Sequence, residues 1–223
     1  TASSTLADLD GLGVIGYQWL ADGTAISGAT GATFALTQTQ VGHTISVRVS
    51  YTDGFGAAES ATSAATGLVS NVNDTPTGSV SIAGRSTQGQ VLNASNTLAD
   101  LDGLGTIGYQ WFSDGAAISG ATGTVFIPTQ AEVGHSVSVQ ASYLDGFGTA
   151  ESVTSAATLP VANVNDAPNG SVSIAGMPTQ GQVLNASNTL GDLDGLGVIS
   201  YQWLTDGTAI SGATASAFAL TQA

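Results

Sequence analysis

One segment occurs three times in this chain at a constant spacing. Residues 5–19 read Thr-Leu-Ala-Asp-Leu-Asp-Gly-Leu-Gly-Val-Ile-Gly-Tyr-Gln-Trp, and close copies begin at Thr97 and Thr189, 92 positions apart in both cases. Roughly seven in ten aligned positions of the first two copies are identical, which marks an internal repeat. A period near 90 residues is too long for a solenoid and suits a small all-β domain. The chain is therefore predicted to be a string of similar domains.

The spacing also gives the predicted domain boundaries. We expect a first repeat at residues 1–70 that lacks its first strand and a complete second repeat at residues 75–162. A third repeat at residues 167–223 is expected to lack its last strands, and linkers are expected at residues 71–74 and 163–166. Because both ends fall inside a repeat, we expect the parent protein to contain more copies.

Hydrophobic alternation within the second repeat predicts about seven short strands. Val137, Val139, Ala141 and Tyr143 share one face of the clearest strand, and the residues between them are polar. Trp111 lies on the third predicted strand and is expected to fill the space between two sheets. This pattern is typical of an immunoglobulin-like β-sandwich. The predicted strands are residues 79–82, 90–98, 106–112, 117–118, 125–127, 135–143 and 152–161, with a one-turn helical corner at residues 129–134.

The charge balance excludes several classes of partner. The chain has 16 acidic residues, two basic residues and a net charge of −14, so it offers almost nothing that could bind phosphate. Binding to nucleic acid or to an anionic membrane surface is therefore not expected. The chain contains no cysteine and no run of 18 apolar residues, so neither a disulfide nor a membrane span is expected.

Three further motifs have simple explanations. Gly11, Gly13 and Gly16 match a dinucleotide-binding pattern, but they precede a predicted strand instead of opening a helix. His43 and its copy His135 are expected to be exposed or bonded to a turn, since no cysteine or second histidine suggests zinc. The Asn-x-Ser matches are common by chance, and no arrangement of residues indicates catalysis, so the chain is not expected to be an enzyme.

Paired aspartates recur in a loop of every repeat. Asp-Leu-Asp-Gly begins at Asp8, Asp100 and Asp192. Two carboxylates at positions i and i+2 suit a hard cation such as Ca²⁺. The alternative is an Asx turn, in which the aspartates accept hydrogen bonds from nearby backbone N–H groups. Neither interpretation follows from this loop alone.

Two other recurring clusters favour calcium. The linkers read Asn-Val-Asn-Asp, and the segment Asp-Gly-Phe-Gly followed by Glu recurs in a predicted hairpin. We expect a hairpin of one repeat, the linker after it and the Asp-Leu-Asp loop of the next repeat to supply six to eight oxygens. The candidate calcium ligands are Asp53, Glu59, Asn71, Asn73, Asp74, Asp100, Asp102, Asp145, Glu151, Asn163, Asn165, Asp166, Asp192 and Asp194, with Asp8 and Asp10 as further candidates.

These motifs carry a resemblance to a known family. The Asn-Val-Asn-Asp-Ala-Pro segment, followed about 26 residues later by Asp-Leu-Asp, resembles the linker and Asp-x-Asp elements of cadherin repeats. The whole repeat resembles the tandem immunoglobulin-like or cadherin-like repeats of giant bacterial RTX-type surface adhesins, which are secreted by the type I route. The resemblance implies a cadherin-like β-sandwich, Ca²⁺ as the bound ion and an extracellular location at the bacterial cell surface. The cadherin pattern has more acids at the joint and a glutamate motif that this chain lacks.

The main functional hypothesis is a calcium-rigidified stalk segment of an adhesin. Its partners would be neighbouring repeats of the same chain, and other domains of the parent would bind the host, surface or glycan target. The alternative is a carbohydrate-binding array of a secreted polysaccharide-degrading protein, with Phe55 and Phe147 as contact residues. A passive spacer that binds no ion is a third hypothesis.

Overall fold

The computed structural model describes residues 1–221, and they form an all-β protein. Strands account for 36% of the chain and helical turns for 3%, and the strands form several antiparallel sheets. In this described part of the chain, no helix is long and apolar enough to cross a membrane. Two residues of the predicted third repeat, Gln222 and Ala223, lie outside the described residues.

The chain forms two compact units. Unit 1 consists of residues 1–80, 96–108 and 141–154, and unit 2 consists of residues 81–95, 109–140 and 155–223. Unit 1 thus contains the first linker, residues 71–74, together with the Asp-Leu-Asp loop and acidic hairpin of the second repeat. Unit 2 contains the second linker, residues 163–166, and the Asp-Leu-Asp loop of the third repeat.

The first repeat builds one antiparallel sheet of four strands in the order β2-β1-β3-β4. Asp22 and Gly23 connect β1 to β2 with backbone φ angles of 47° and 79°, as expected of a tight Asp-Gly hairpin turn. In the central pair, Trp19 of β1 lies opposite Val47 of β3. The strands are β1 (Gly16–Ala21), β2 (Thr24–Ala25), β3 (Ile45–Thr52) and β4 (Ala58–Thr62), with a 3₁₀ turn at Gln38–Gln40.

The second repeat reproduces this sheet and adds a second one. Its four-stranded sheet has the order β11-β10-β7-β8, and a three-stranded sheet has the order β5-β6-β9. The strands are β5 (Val80–Ala83), β6 (Leu92–Asn96), β7 (Gly108–Ser113), β8 (Ala116–Ala117), β9 (Val125–Phe126), β10 (Val137–Leu144) and β11 (Ala150–Thr154), with a 3₁₀ turn at Gln130–Glu132.

The third repeat contains a three-stranded sheet in the order β12-β13-β16 and the hairpin β14-β15. The registers Leu184↔Phe218 and Asn185↔Ala217 repeat those of Leu92↔Phe126 and Asn93↔Val125 in the second repeat. The strands are β12 (Val172–Ala175), β13 (Val183–Asn188), β14 (Leu204–Thr205), β15 (Thr208–Ala209) and β16 (Ala217–Ala219).

The repeated tryptophan is a core residue in the second and third repeats, as predicted, whereas Trp19 of the first repeat is half-buried. Trp111 is fully buried, its ring stacks on Phe126 with centroids 5.4 Å apart, and its indole N–H donates to the Gly123 carbonyl at 2.8 Å. Trp19 and Trp203 stack on a phenylalanine in the same way. An indole that stacks on a phenylalanine and donates from its nitrogen to a backbone carbonyl stabilises the fold and is not placed as a platform for a ligand.

The inward alternation predicted for residues 135–143 is confirmed in β10. Val137, Val139 and Ala141 are fully buried and Tyr143 nearly so, whereas Ser142 is exposed. The prediction of a last strand at residues 152–161 was wrong in its bounds. The strand is β11, Ala150–Thr154, and the residues after it are held by single bridges, including Val133↔Val161. The segment 156–161 is rich in apolar residues, but it does not lie in a continuous ladder.

Candidate cation site at the first linker

The first aspartate of each Asp-Leu-Asp loop forms an Asx turn. Asp8, Asp100 and Asp192 each accept a hydrogen bond through Oδ1 from the backbone N–H two residues later, at 2.8 to 2.9 Å. This bond closes the loop locally and does not depend on a metal. For the first aspartate of each pair, the Asx-turn interpretation therefore describes the geometry.

A tyrosine occupies the other oxygen of this aspartate in two repeats. The Tyr143 hydroxyl donates to Asp100 Oδ2 at 2.6 Å, and the Tyr51 hydroxyl donates to Asp8 Oδ2 at 2.8 Å. Burial and the bond to Asp100 raise the pKa of Tyr143, and the bond to Asp8 raises the pKa of Tyr51 to about 12. Both oxygens of Asp100 thus accept protein hydrogen bonds already, so this residue mainly positions the loop.

The acidic hairpin of the second repeat is built around Asp145. Its Oδ1 accepts from the backbone N–H groups of Phe147 at 2.8 Å and Thr149 at 2.7 Å. Burial alone would raise the pKa of Asp145, but these N–H groups outweigh it and hold that pKa below its usual value. Asp145 is therefore a buried carboxylate that stays ionised near neutral pH.

Backbone contact ties this hairpin to the Asp-Leu-Asp loop of the same repeat. The Gly146 N–H donates to the Asp102 carbonyl at 2.9 Å. A Cβ atom at Gly146 would lie 2.5 Å from that carbonyl oxygen, closer than real Cβ contacts come. The glycine after Asp145 is thus needed for the close approach of the two acidic segments.

The first linker meets both of these segments. The Asn73 side-chain amide donates to Glu151 Oε1 at 2.7 Å, and the Asp74 backbone N–H donates to Asp102 Oδ2 at 2.6 Å. These contacts bring together linker, loop and hairpin residues that the sequence had nominated as calcium ligands.

Three buried oxygens at this junction have no hydrogen-bond partner. Within residues 1–221, four buried side-chain oxygens lack a partner, and three of them are Asn71 Oδ1, Asp102 Oδ1 and Asp145 Oδ2. Asp102 is 4% exposed and Asp145 is 7% exposed. A buried acceptor without a partner costs a protein about 1–3 kcal/mol. All three atoms can accept but not donate, so they would be satisfied by a cation or by water that donates to them.

The sequence-based prediction assigned the wrong hairpin to this linker. We expected Asp53 and Glu59 of the first repeat to face it, but the partner is the hairpin of the second repeat. The Gly54 N–H donates to the Asp10 carbonyl at 3.0 Å, so this hairpin also belongs to the loop of its own repeat.

Strand direction explains the difference. The chain leaves the first repeat beside His43, where the Val69 N–H donates to the His43 carbonyl at 2.9 Å. The hairpin of Asp53 follows the other end of β3, which has eight residues. At about 3.3 Å per residue, the two ends of β3 are about 25 Å apart. The 3₁₀ corner lies at the linker end instead, since Thr37, Val41, Asp74 and Leu101 line one cavity of about 490 Å³.

The second linker repeats part of this arrangement. The Asp166 backbone N–H donates to Asp194 Oδ2 at 2.8 Å, as Asp74 does to Asp102. Asn163, Asn165 and Asp194 are exposed, and Asp166 and Asp192 are half-buried. The counterpart of Asp145 in the third repeat would fall beyond residue 223. The three unpartnered buried oxygens at the first linker thus have no complete set of equivalents among the described residues at the second linker.

The donor set at the first linker fits Ca²⁺ better than a transition metal. Among the described residues, no three His, Cys, Asp or Glu side chains converge closely enough to form a metal site on their own. Two carboxylates with amide and carbonyl oxygens are nevertheless the mixture that Ca²⁺ uses, since it takes six to eight oxygens. No sulfur or imidazole lies in the set, which argues against zinc.

The two histidines are bonded to turns, as expected. His43 Nδ1 lies 2.6 Å from Asp22 Oδ2, and His135 Nδ1 lies 2.7 Å from Asp114 Oδ2, with all four side chains about half exposed. The bond from His43 and those from Thr44 lower the pKa of Asp22 to about 2. In the sequence, only the Asp-Gly turn 21 residues earlier pointed to the aspartate partner.

Comparison with known proteins does not assign the chain to a family. No model of a known protein family matches the chain, and no curated protein is similar to it in sequence. The candidate site therefore depends on the geometry described above.

Proposed function

We propose that this chain is a structural stalk segment of an extracellular bacterial adhesin, in which Ca²⁺ stiffens the junctions between immunoglobulin-like repeats of about 92 residues. The observation that carries the proposal is the set of unpartnered buried oxygens on Asn71, Asp102 and Asp145. These atoms come from the linker, the loop and the hairpin, so one ion bound to them ties a linker to the repeat that follows it.

The hydrogen bonds around the site support this role. Asp74 and Asn73 hold the linker against Asp102 and Glu151 before any ion is considered. Asp100 supports the loop through its Asx turn and its bond to Tyr143. In this scheme Asp102, Asp145 and Asn71 are the ion ligands, and Asn73, Asp100 and Glu151 orient them.

The effect of the ion is mechanical and electrostatic. The chain carries a net charge of −14, and a divalent cation at a junction lowers the repulsion between its carboxylates. Binding to the folded state adds stability by mass action, about 2.7 kcal/mol when free calcium is a hundred times its dissociation constant. When bending at the junctions is restricted in this way, the tandem repeats form an extended rod.

A calcium titration tests the proposal. We expect the melting temperature of the chain to rise from excess chelator to millimolar Ca²⁺, and small-angle scattering to show a longer, less variable particle. Mg²⁺ at equal ionic strength is the control for charge screening, and it should give a smaller rise because it prefers to keep its water shell. A response that is the same for both ions, or none, contradicts the calcium role and favours a passive spacer.

Exposed aromatic residues support a second candidate, which is carbohydrate binding. Phe55 is 85% exposed and Phe147 is 54% exposed, each at the tip of an acidic hairpin. Aromatic rings at such tips can stack on sugars. Binding to a glycan array that is lost in Phe147→Ala would favour this function. A wild-type chain that binds no glycan on the array would count against it.

A further inference from the structure

The residue before the second linker, Ala162, is paired with a turn of the second repeat. The Ala162 N–H donates to the Ser86 carbonyl and the Gln88 N–H donates to the Ala162 carbonyl, both at 2.9 Å. Thr87 and Ala162 form a parallel bridge. The chain after Val161 therefore continues along the edge of the repeat instead of leaving it as a free tether.

Gln88 extends this pairing through its side chain. Its Oε1 accepts from the Val164 backbone N–H at 3.1 Å, and its Nε2 donates to Asp166 Oδ2 at 3.0 Å. One half-buried amide thus holds two alternate residues of the linker. An amide is suited to this task because it offers one acceptor and one donor at the same end of the side chain.

Asp166 is bonded both to Gln88 and to a residue of the next repeat. While its carboxylate accepts from Gln88, its backbone N–H donates to Asp194 Oδ2 at 2.8 Å. The Asn165 side chain also donates to the Asp166 carbonyl at 3.0 Å. Ala162, Val164 and Asp166 are therefore each held by a partner outside the linker, and only single residues lie between them.

We propose that Gln88 and Asp166 form a clasp that sets the direction of the second linker without a cation. Each ordered linker residue has already lost backbone freedom, so an ion that binds later has less entropy to overcome. Gln88 is then a positioning residue of the junction. The motif Thr-Gln-Gly-Gln around it recurs at residues 179–182.

Amide hydrogen exchange of the full chain in excess chelator tests the clasp independently of calcium. In the wild type, the Val164 and Asp166 amides should exchange more slowly than in an unstructured peptide. Gln88→Leu removes both bonds and should speed exchange at Val164 by about tenfold, because that N–H loses its acceptor. Exchange at Asp166 should rise less, because its N–H still donates to Asp194 Oδ2 and only its carboxylate is released. Gln90→Leu is the matched control, since Gln90 is an exposed residue of the same turn, and it should leave both rates unchanged.

Gln88→Glu separates the two halves of the clasp. Glutamate keeps an acceptor for the Val164 N–H but cannot donate to Asp166 when ionised, and its charge repels that carboxylate. Protection should persist at Val164 and fall at Asp166, whereas general destabilisation of the repeat would speed both amides and those of β10 together. Unprotected linker amides in the wild type, or Gln88→Leu rates equal to those of Gln90→Leu, would overturn the proposal whatever the calcium response.

Discussion

Asp145→Asn is the sharpest test of the cation site. Asparagine keeps an Oδ1 acceptor for the Phe147 and Thr149 N–H groups, so the hairpin keeps its internal bonds. The variant removes the charge and replaces the unpartnered Oδ2 by an amide nitrogen that cannot bind Ca²⁺. The hairpin therefore remains folded while the proposed ligand is lost.

The expected magnitude follows from mass action. At free calcium a hundred times the wild-type dissociation constant, binding stabilises the native state by about 2.7 kcal/mol. If the loss of one of two carboxylate ligands weakens binding about 100-fold, the remaining stabilisation is about 0.4 kcal/mol. The difference of about 2.3 kcal/mol corresponds to about 9–18 °C in the melting temperature of a domain of this size.

The assay is a thermal melt of wild type and variant, each in excess chelator and in saturating Ca²⁺. Asp53→Asn is the matched control, because Asp53 Oδ1 accepts the same two hairpin bonds, from Phe55 and Ala57, whereas neither linker within residues 1–221 bonds to its hairpin. We expect Asp145→Asn to lose most of the calcium response and Asp53→Asn to keep it. An undiminished response in Asp145→Asn, or equal losses in both variants, would refute the assignment of Asp145.

Three further predictions concern the supports of the fold. Tyr143→Phe removes a hydrogen bond to the ionised Asp100 and should lower the free energy of unfolding by about 1.5–3 kcal/mol, measured by urea denaturation. Gly146→Ala places a Cβ 2.5 Å from a backbone oxygen and should cost about 1–3 kcal/mol, and an unchanged urea midpoint would contradict the close approach. The pKa of Asp22 is lowered to about 2, so its bond to His43 adds stability that is complete above about pH 4 and is lost as the pH falls towards 2. Melts between pH 2 and 6 should show Asp22→Asn losing less stability on acidification than the wild type.

The sequence predicted the local structure well because the relevant signals are local. Alternation of apolar residues is a property of consecutive side chains, so Val137, Val139 and Ala141 could be assigned to the core without any tertiary information. The tryptophan was assigned correctly for the same reason. Residues 152–161 show the limit of this approach, because their composition did not reveal that the strand ends at Thr154.

The residues that position the junctions could hardly be recognised from the sequence. Tyr143 was predicted only as a core residue, and its hydroxyl finds Asp100 from 43 positions away. Gln88 lies 78 positions from Asp166, in a motif whose recurrence was visible but whose purpose was not. Contacts between residues so far apart in the sequence depend on the order of the strands in the sheets. The spacing of residues along the chain does not reveal that order.

By itself, the sequence determined the repeat of 92 positions, the all-β class, the buried tryptophan and the acidic residues from which any cation site must be drawn. Only the tertiary structure decided that the linker meets the hairpin of Asp145 and not that of Asp53. It also decided that Asp102 and Asp145 are buried with an oxygen unpartnered, whereas Asp10 and Asp194 are exposed. The physical reason is that the two ends of β3 are about 25 Å apart, so the direction of the strands, and not the identity of the residues, selects which acids meet at a junction.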